Sequence, residues 1–159
     1  MSDKALYRCT PMTQEAAACI CKWVYAPPYQ MYSLDCSKET LEELLDGSYH
    51  AIYLQDELIG FYCTGLAAQV PSGRASGHYH KKMVDVGLGM KPNRTGQHQG
   101  YPFVSFILAK VREQEEVAEL RLTVANWNKR AITLYKQFKF EEQIQFSTKD
   151  TTFIIMETC

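Results

Sequence analysis

The stretch whose reading decides the fold is MVDVGLGM-KPNRTGQHQG-YPFVSFILAKV, running from Met83 to Val111. Its first piece alternates. Val84, Val86, Leu88 and Met90 fall on one face of a strand, and Asp85, Gly87 and Gly89 on the other. Glycines on one face predict an open groove beside the backbone. The second piece holds Pro92, Asn93, Gly96 and Gly100, which punctuate a turn. The third carries Phe103, Val104, Phe106, Ile107, Leu108 and Val111, apolar nearly all round, as a buried helix is. The unit is therefore strand, glycine-bearing loop, helix. Backbone N–H groups of such a loop, with the positive end of the helix dipole behind them, make an anion site, usually for phosphate.

Upstream of this unit, residues 65–82 (GLAAQVPSGRASGHYHKK) show no periodicity and read as a long connection, mobile or functional. Before it, Tyr49–Leu54 and Leu58–Thr64 form a hairpin across Gln55-Asp56-Glu57. Ser37 caps a helix whose apolar stripe is Leu41, Leu44 and Leu45, stopped by Gly47. YAPPYQMYSLD (Tyr25–Asp35) is aromatic and proline-rich, so it is irregular and either folds back on the core or lines a pocket. Thr13 caps a helix through Ala16–Trp23, and Leu6–Cys9 is a short first strand. Downstream, Leu120–Val124 is a strand, Asn128–Phe138 a helix, and Phe140–Phe146 and Thr152–Met156 strands.

The order β-α-α-β-β-β-α-β-α-β-β predicts a mixed α/β (α+β) fold, a mixed sheet with helices on both faces. Residues 1–159 read as a single domain. A formal net charge of −1 leaves no electrostatic footprint for nucleic acid. No Lys/Arg-rich run marks an anionic membrane surface, and no apolar stretch reaches the length of a span. MSDKALYRCT lacks the apolar core of a signal peptide, so the expected location is cytoplasmic. In that compartment Cys9, Cys19, Cys21, Cys36, Cys63 and Cys159 are expected to be free thiols. Their spacing matches no zinc site, and no metal is expected.

Element order and motifs together resemble the GNAT N-acetyltransferase superfamily over nearly the whole chain. The resemblance rests on VDVGLGMKPNRTGQHQGYPFVSFIL, similar to the family's acetyl-CoA pyrophosphate loop, and on LRLTVANWNKRAITLYKQFKF, similar to its strand, Asn and Tyr-bearing helix. It implies the acyl-CoA N-acyltransferase fold, with a twisted and mostly antiparallel sheet. It also implies acetyl-CoA as co-substrate and a primary amine as acceptor, either a small molecule or a peptide N-terminus. A homodimer is compatible with it. The alternative within the same fold is a non-catalytic acyl-CoA-binding or sensor domain.

The same resemblance assigns residues. The pantetheine arm is expected on the strand backbone near Leu88 and Met90. The pyrophosphate is expected on the loop Arg94, Thr95, Gly96, Gln97, His98, Gln99 and Gly100. The family's usual form is Arg/Gln-x-x-Gly-x-Gly/Ala, and Thr95, His98 and Gly100 stand at its three places. His98 sets a side chain where a glycine is usual, at a steric cost if φ is positive; alternatively it points outward or donates to a phosphate. Arg94 either reaches a phosphate or is solvated. Asn128 is a helix cap and, by resemblance, a partner of the cofactor's amides. Tyr135 is either core or the acid that protonates the departing thiolate. Asp85 is either a general base or an ordinary salt-bridged aspartate; His78 and His80 are rival bases. Trp23, Tyr29 and Tyr32 are expected to line the acceptor site.

Overall fold

A computed structural model describes residues 6–116 and 119–158, which leaves Cys159 outside the described residues. Among the described residues, seven strands and five α-helices follow the expected order, with one addition. They are β1 (Tyr7–Pro11), α1 (Gln14–Ile20), α2 (Lys38–Leu44), β2 (Tyr49–Leu54), β3 (Glu57–Thr64), α3 (Pro71–Ala75), β4 (Val84–Met90), α4 (Gly100–Gln114), β5 (Leu120–Ala125), α5 (Lys129–Lys136), β6 (Glu141–Ser147) and β7 (Thr152–Glu157). The strands form a seven-stranded sheet in the order β1-β2-β3-β4-β5-β7-β6. Pairs β1–β2, β2–β3, β5–β7 and β6–β7 are antiparallel. The β4–β5 ladder is parallel and short, matching Val84 with Leu120 and Asp85 with Arg121.

The chain divides into two compact units. One is Met1–Cys63 with Leu88–Phe106, the other Thr64–Gly87 with Ile107–Cys159. In the first, Ala17, Ile20 and Leu44 are buried between α1 and α2, and Met12, Trp23, Leu41, Tyr49, Leu58 and Phe61 pack against them. Thr13 caps α1 by accepting from the Ala16 N–H at 3.1 Å, and Ser37 caps α2 by accepting from the Thr40 N–H at 3.2 Å. Helix α1 stops at Ile20, short of the expected Trp23. Its end tightens into three-residue turns, Lys22 N–H to Cys19 O and Trp23 N–H to Ile20 O, both 3.1 Å.

The β2–β3 turn is also shorter than expected. Gln55 and Asp56 both take positive φ, 49° and 69°, so two residues suffice and Glu57 joins β3 opposite Leu54. In the second unit, Leu120, Leu122, Val124, Ile132, Phe140, Ile154, Ile155 and Met156 are buried. The 65–82 connection is more structured than its lack of periodicity predicts. Pro71 opens α3 with its preset φ, and Gly73 lets the Phe146 ring approach so closely that a Cβ there would lie 2.8 Å from it.

The thiol expectation is corrected at two positions. Cys21, at the end of α1, and Cys36, just before the α2 cap, form a disulfide with Cα atoms 5.2 Å apart. The two helix ends bring them within bridging distance, and the bridge closes the Lys22–Asp35 loop. Cys9, Cys19 and Cys63 are not disulfide-bonded.

Candidate active site

The face of β4 expected to be open is covered at Gly89. Gly89 is glycine because the Phe61 ring covers it, and a Cβ there would lie 2.5 Å from that ring. Gly60 lies against Gly89 O and the Phe103 ring in the same way. Of the face expected as core only Val86 is fully buried, and Asp85, expected on the open face, is buried as well.

Asp85 sits at the β5 end of the same strand, 3% exposed. Arg121 donates to both its oxygens, Nε to Oδ1 at 2.7 Å and Nη2 to Oδ2 at 2.8 Å. Gln69 Nε2 adds a third bond to Oδ2 at 2.8 Å. Arg121 itself is 1% exposed; it also donates to Lys81 O at 3.2 Å and lies over the Tyr79 ring at 5.1 Å. Its hydrogen bonds to Asp85 push its pKa further up and keep it charged despite burial. Three hydrogen bonds and near-complete burial hold this carboxylate in its ionised, arginine-paired form. The geometry places Asp85 as the salt-bridged aspartate.

His78 and His80 are placed differently. The His78 ring lies 5.4 Å from that of Phe146, and His80 Nδ1 contacts Gly77 O at 2.9 Å on the surface.

The loop after β4 begins with a turn of 3-10 helix, Pro92–Arg94, and leads into the fifteen-residue α4. Gly96 has φ +71° and His98 φ +58°. His98 thus takes the left-handed conformation that glycine adopts freely, with its imidazole exposed. Gln99 O accepts from the Phe103 N–H at 3.2 Å as α4 begins. The loop is braced by Thr95 Oγ1 donating to Pro92 O at 2.8 Å and Gln97 Nε2 to Asn93 O at 2.7 Å. Arg94 is ion-paired with Glu57 rather than loose in solvent, and Lys91 Nζ reaches the same carboxylate at 3.3 Å. The bond from Arg94 is the main reason that Glu57 titrates below the usual carboxylate range. Two cations therefore sit beside a loop that leads into a helix N-terminus, an arrangement suited to phosphate.

In the second unit, Asn128 Oδ1 accepts from the Ala131 N–H at 3.2 Å, the cap that the sequence predicted. Tyr135 is buried on the inner face of α5, its ring 6.2 Å from Phe140.

The aromatic loop belongs to the first unit. Trp23 is turned inward against the α1–α2 core, with its ring 6.4 Å from Phe61, so it shapes the loop more than it lines a surface. Tyr29 and Tyr32 stack at 6.5 Å, and Tyr25 meets Tyr32 edge-on at 6.4 Å. Tyr25, which the sequence did not single out, donates its hydroxyl to Met90 O at 2.5 Å. Burial raises that phenol to about 12, so it remains a donor. The bond fixes the aromatic loop to the end of β4. Among the described residues, no group of three or more His, Cys, Asp or Glu is placed to hold a metal ion.

Comparison with known proteins gives this geometry a context. The sequence profile of the acetyltransferase (GNAT) family matches residues 18–140. No curated protein matches the chain. Among solved structures, AAC(6')-Ib in complex with ribostamycin and coenzyme A superimposes with a TM-score of 0.74 at 17% identity, covering 96% of this chain and 92% of that one. The protein yncA from Salmonella typhimurium, with its cofactor acetyl-CoA, gives a TM-score of 0.61 at 12% identity, covering 96% and 92%. A spermidine N-acetyltransferase SpeG chimera from Vibrio cholerae and hSSAT gives 0.69 at 16%, covering 96% and 95%. At these identities the likeness is one of fold.

Proposed function

The chain belongs to the acetyltransferase (GNAT) family, and from that premise we propose that it is a single-domain enzyme transferring an acetyl group from acetyl-CoA to a primary amine. The observation that carries this is the β4–loop–α4 unit, with left-handed residues at Gly96 and His98 and the cations Lys91 and Arg94 beside it. Loop N–H groups and the α4 terminus hold the pyrophosphate. The backbone at Leu88 and Met90 takes the pantetheine arm.

The amine lone pair attacks the thioester carbon directly. The C–N bond forms, the C–S bond breaks, and a β4 backbone N–H stabilises the oxyanion. The amine loses its proton to water, and the Tyr135 phenol protonates the leaving thiolate. Asn128 keeps its capping role and offers its remaining amide donors to the cofactor.

Calorimetry with acetyl-CoA tests the binding step, and thiol release across an amine panel tests transfer. Micromolar binding with amine-dependent thiol release is the expected result. Absence of binding would end the proposal. The left-handed His98 favours a second reading, an acyl-CoA sensor; binding with no thiol release on any amine would select it.

A further inference from the structure

The loop between α1 and α2 carries an unusual share of the molecule's uncovered apolar surface. Val24 (76% exposed), Met31 (44%), Tyr32 (36%) and Leu34 (40%) are four of the seven large hydrophobic residues that stand exposed among the described residues. Single exposed apolar residues are ordinary, whereas a cluster in one loop marks a binding surface.

The cluster is also held in place. Cys21–Cys36 ties the two ends of the loop, and the Tyr25 bond to Met90 O ties its middle to the end of β4. A further bond, Tyr25 N–H to Ser33 Oγ at 2.9 Å, closes the loop on itself. A restrained aromatic surface binds without a large ordering cost.

Charge decides what it binds. From Lys22 to Cys36 the only charged residues are Lys22 and Asp35. Asp35 Oδ1 already accepts from the Ser37 N–H at 3.0 Å and from Thr40 Oγ1 at 2.6 Å. The next carboxylates, Glu39, Glu42 and Glu43, belong to α2 and not to the loop, and Glu57 is neutralised by Arg94 and Lys91. A ligand with several ammonium groups needs several carboxylates, and this loop offers one, committed to the start of α2. Its tyrosine faces suit a flat or aliphatic body, with room for one cation against a ring.

We propose that the acceptor is an apolar monoamine, its aromatic or aliphatic body seated on Tyr25, Tyr29 and Tyr32 and its single amine directed toward the end of β4. This assignment rests on the acetyl-transfer reading and narrows its substrate class away from polyamines and aminoglycosides.

The test is thiol release from acetyl-CoA with 2-phenylethylamine and isoamylamine set against spermidine and kanamycin, on the non-reduced full-length protein. The two monoamines are expected to exceed the polycations in kcat/KM by about 10-fold or more. Tyr32→Ala is expected to raise KM for 2-phenylethylamine about 10-fold while kcat and calorimetric acetyl-CoA affinity hold. Turnover that favours spermidine or kanamycin overturns the monoamine assignment and leaves acetyl transfer standing. An unchanged KM in both Tyr32→Ala and Tyr29→Ala overturns the seat on the loop. Acetyl-CoA binding without turnover of any amine removes the acceptor site altogether, and absence of binding removes the transfer reading with it.

Discussion

Arg121 grips Asp85 at both carboxylate oxygens, at 2.7 and 2.8 Å, with both side chains almost wholly out of water. The pair stands where the parallel ladder joins β4 to β5. Removing one partner leaves the other charge buried and uncompensated, at about 3–5 kcal/mol. Asp85→Ala is therefore expected to lower the urea midpoint sharply at constant m-value. The double variant Asp85→Leu/Arg121→Met, which removes both charges, is expected to recover most of that loss. A normal midpoint in Asp85→Ala would mean that the ion pair does not form.

The Cys21–Cys36 bridge spans a sequence separation of 15. By chain entropy, a loop of that size contributes about 3 kcal/mol. Reduction, or Cys36→Ser, is expected to destabilise the protein by about 2–4 kcal/mol. It is also expected to raise KM for the amine more than for acetyl-CoA, because the bridge fixes the aromatic loop. Denaturation curves with and without reductant check the first effect, and paired KM measurements the second. Coincident curves would show the thiols to be free, as the sequence alone implied.

What the sequence discloses and what it hides divide by range. Thr13, Ser37 and Asn128 were legible as caps because a cap is made within three residues. The buried residues of α4 were legible because they crowd a single helix. The pairs that stayed hidden are distant along the chain: Tyr25 with Met90, Asp85 with Arg121, Arg94 with Glu57, Cys21 with Cys36. Composition does not name such partners. The alternation in β4 could not show that Phe61 would cover Gly89 or that Asp85 would be buried. The Gln55-Asp56 turn was misjudged by one residue, since neither side chain advertises a left-handed backbone as glycine does.

His98 holds φ +58°, in the left-handed region that glycine adopts freely. His98→Gly removes the left-handed strain but frees the unfolded chain, so the net gain is at most about 1 kcal/mol. His98→Val, β-branched, is expected to lose more than that. Acetyl-CoA affinity by calorimetry is expected to hold in the glycine variant, because the imidazole is exposed. A fall of about 10-fold would show that the imidazole itself contacts the cofactor.

Tyr135→Phe retains the ring that packs beside Phe140 and removes only the hydroxyl. If that hydroxyl protonates the thiolate, kcat should fall by about 10²-fold while acetyl-CoA affinity and the denaturation midpoint stay within error. The alkaline limb of the pH–rate profile should also disappear, since it reports the donor. Unchanged turnover would return Tyr135 to a packing role alone.

His50 provides a pH test of the first unit. Its ring stacks on Tyr62 at 4.8 Å and 7°, and its Nδ1 is buried without a hydrogen-bond partner among the described residues. Burial lowers its pKa below the usual 6.5, because a charged imidazole there would lose its water. The sign follows from proton uptake. Below about pH 6.5 the unfolded chain binds a proton that the folded chain refuses, so falling pH favours unfolding until the folded-state pKa is passed. Above that range the contribution is fully present. His50→Phe keeps a stacked ring but cannot titrate. The urea midpoint of the parent should therefore drop more than that of the variant between about pH 7.5 and 5.5. Parallel midpoints across that interval would show that His50 takes up its proton equally well in the folded protein.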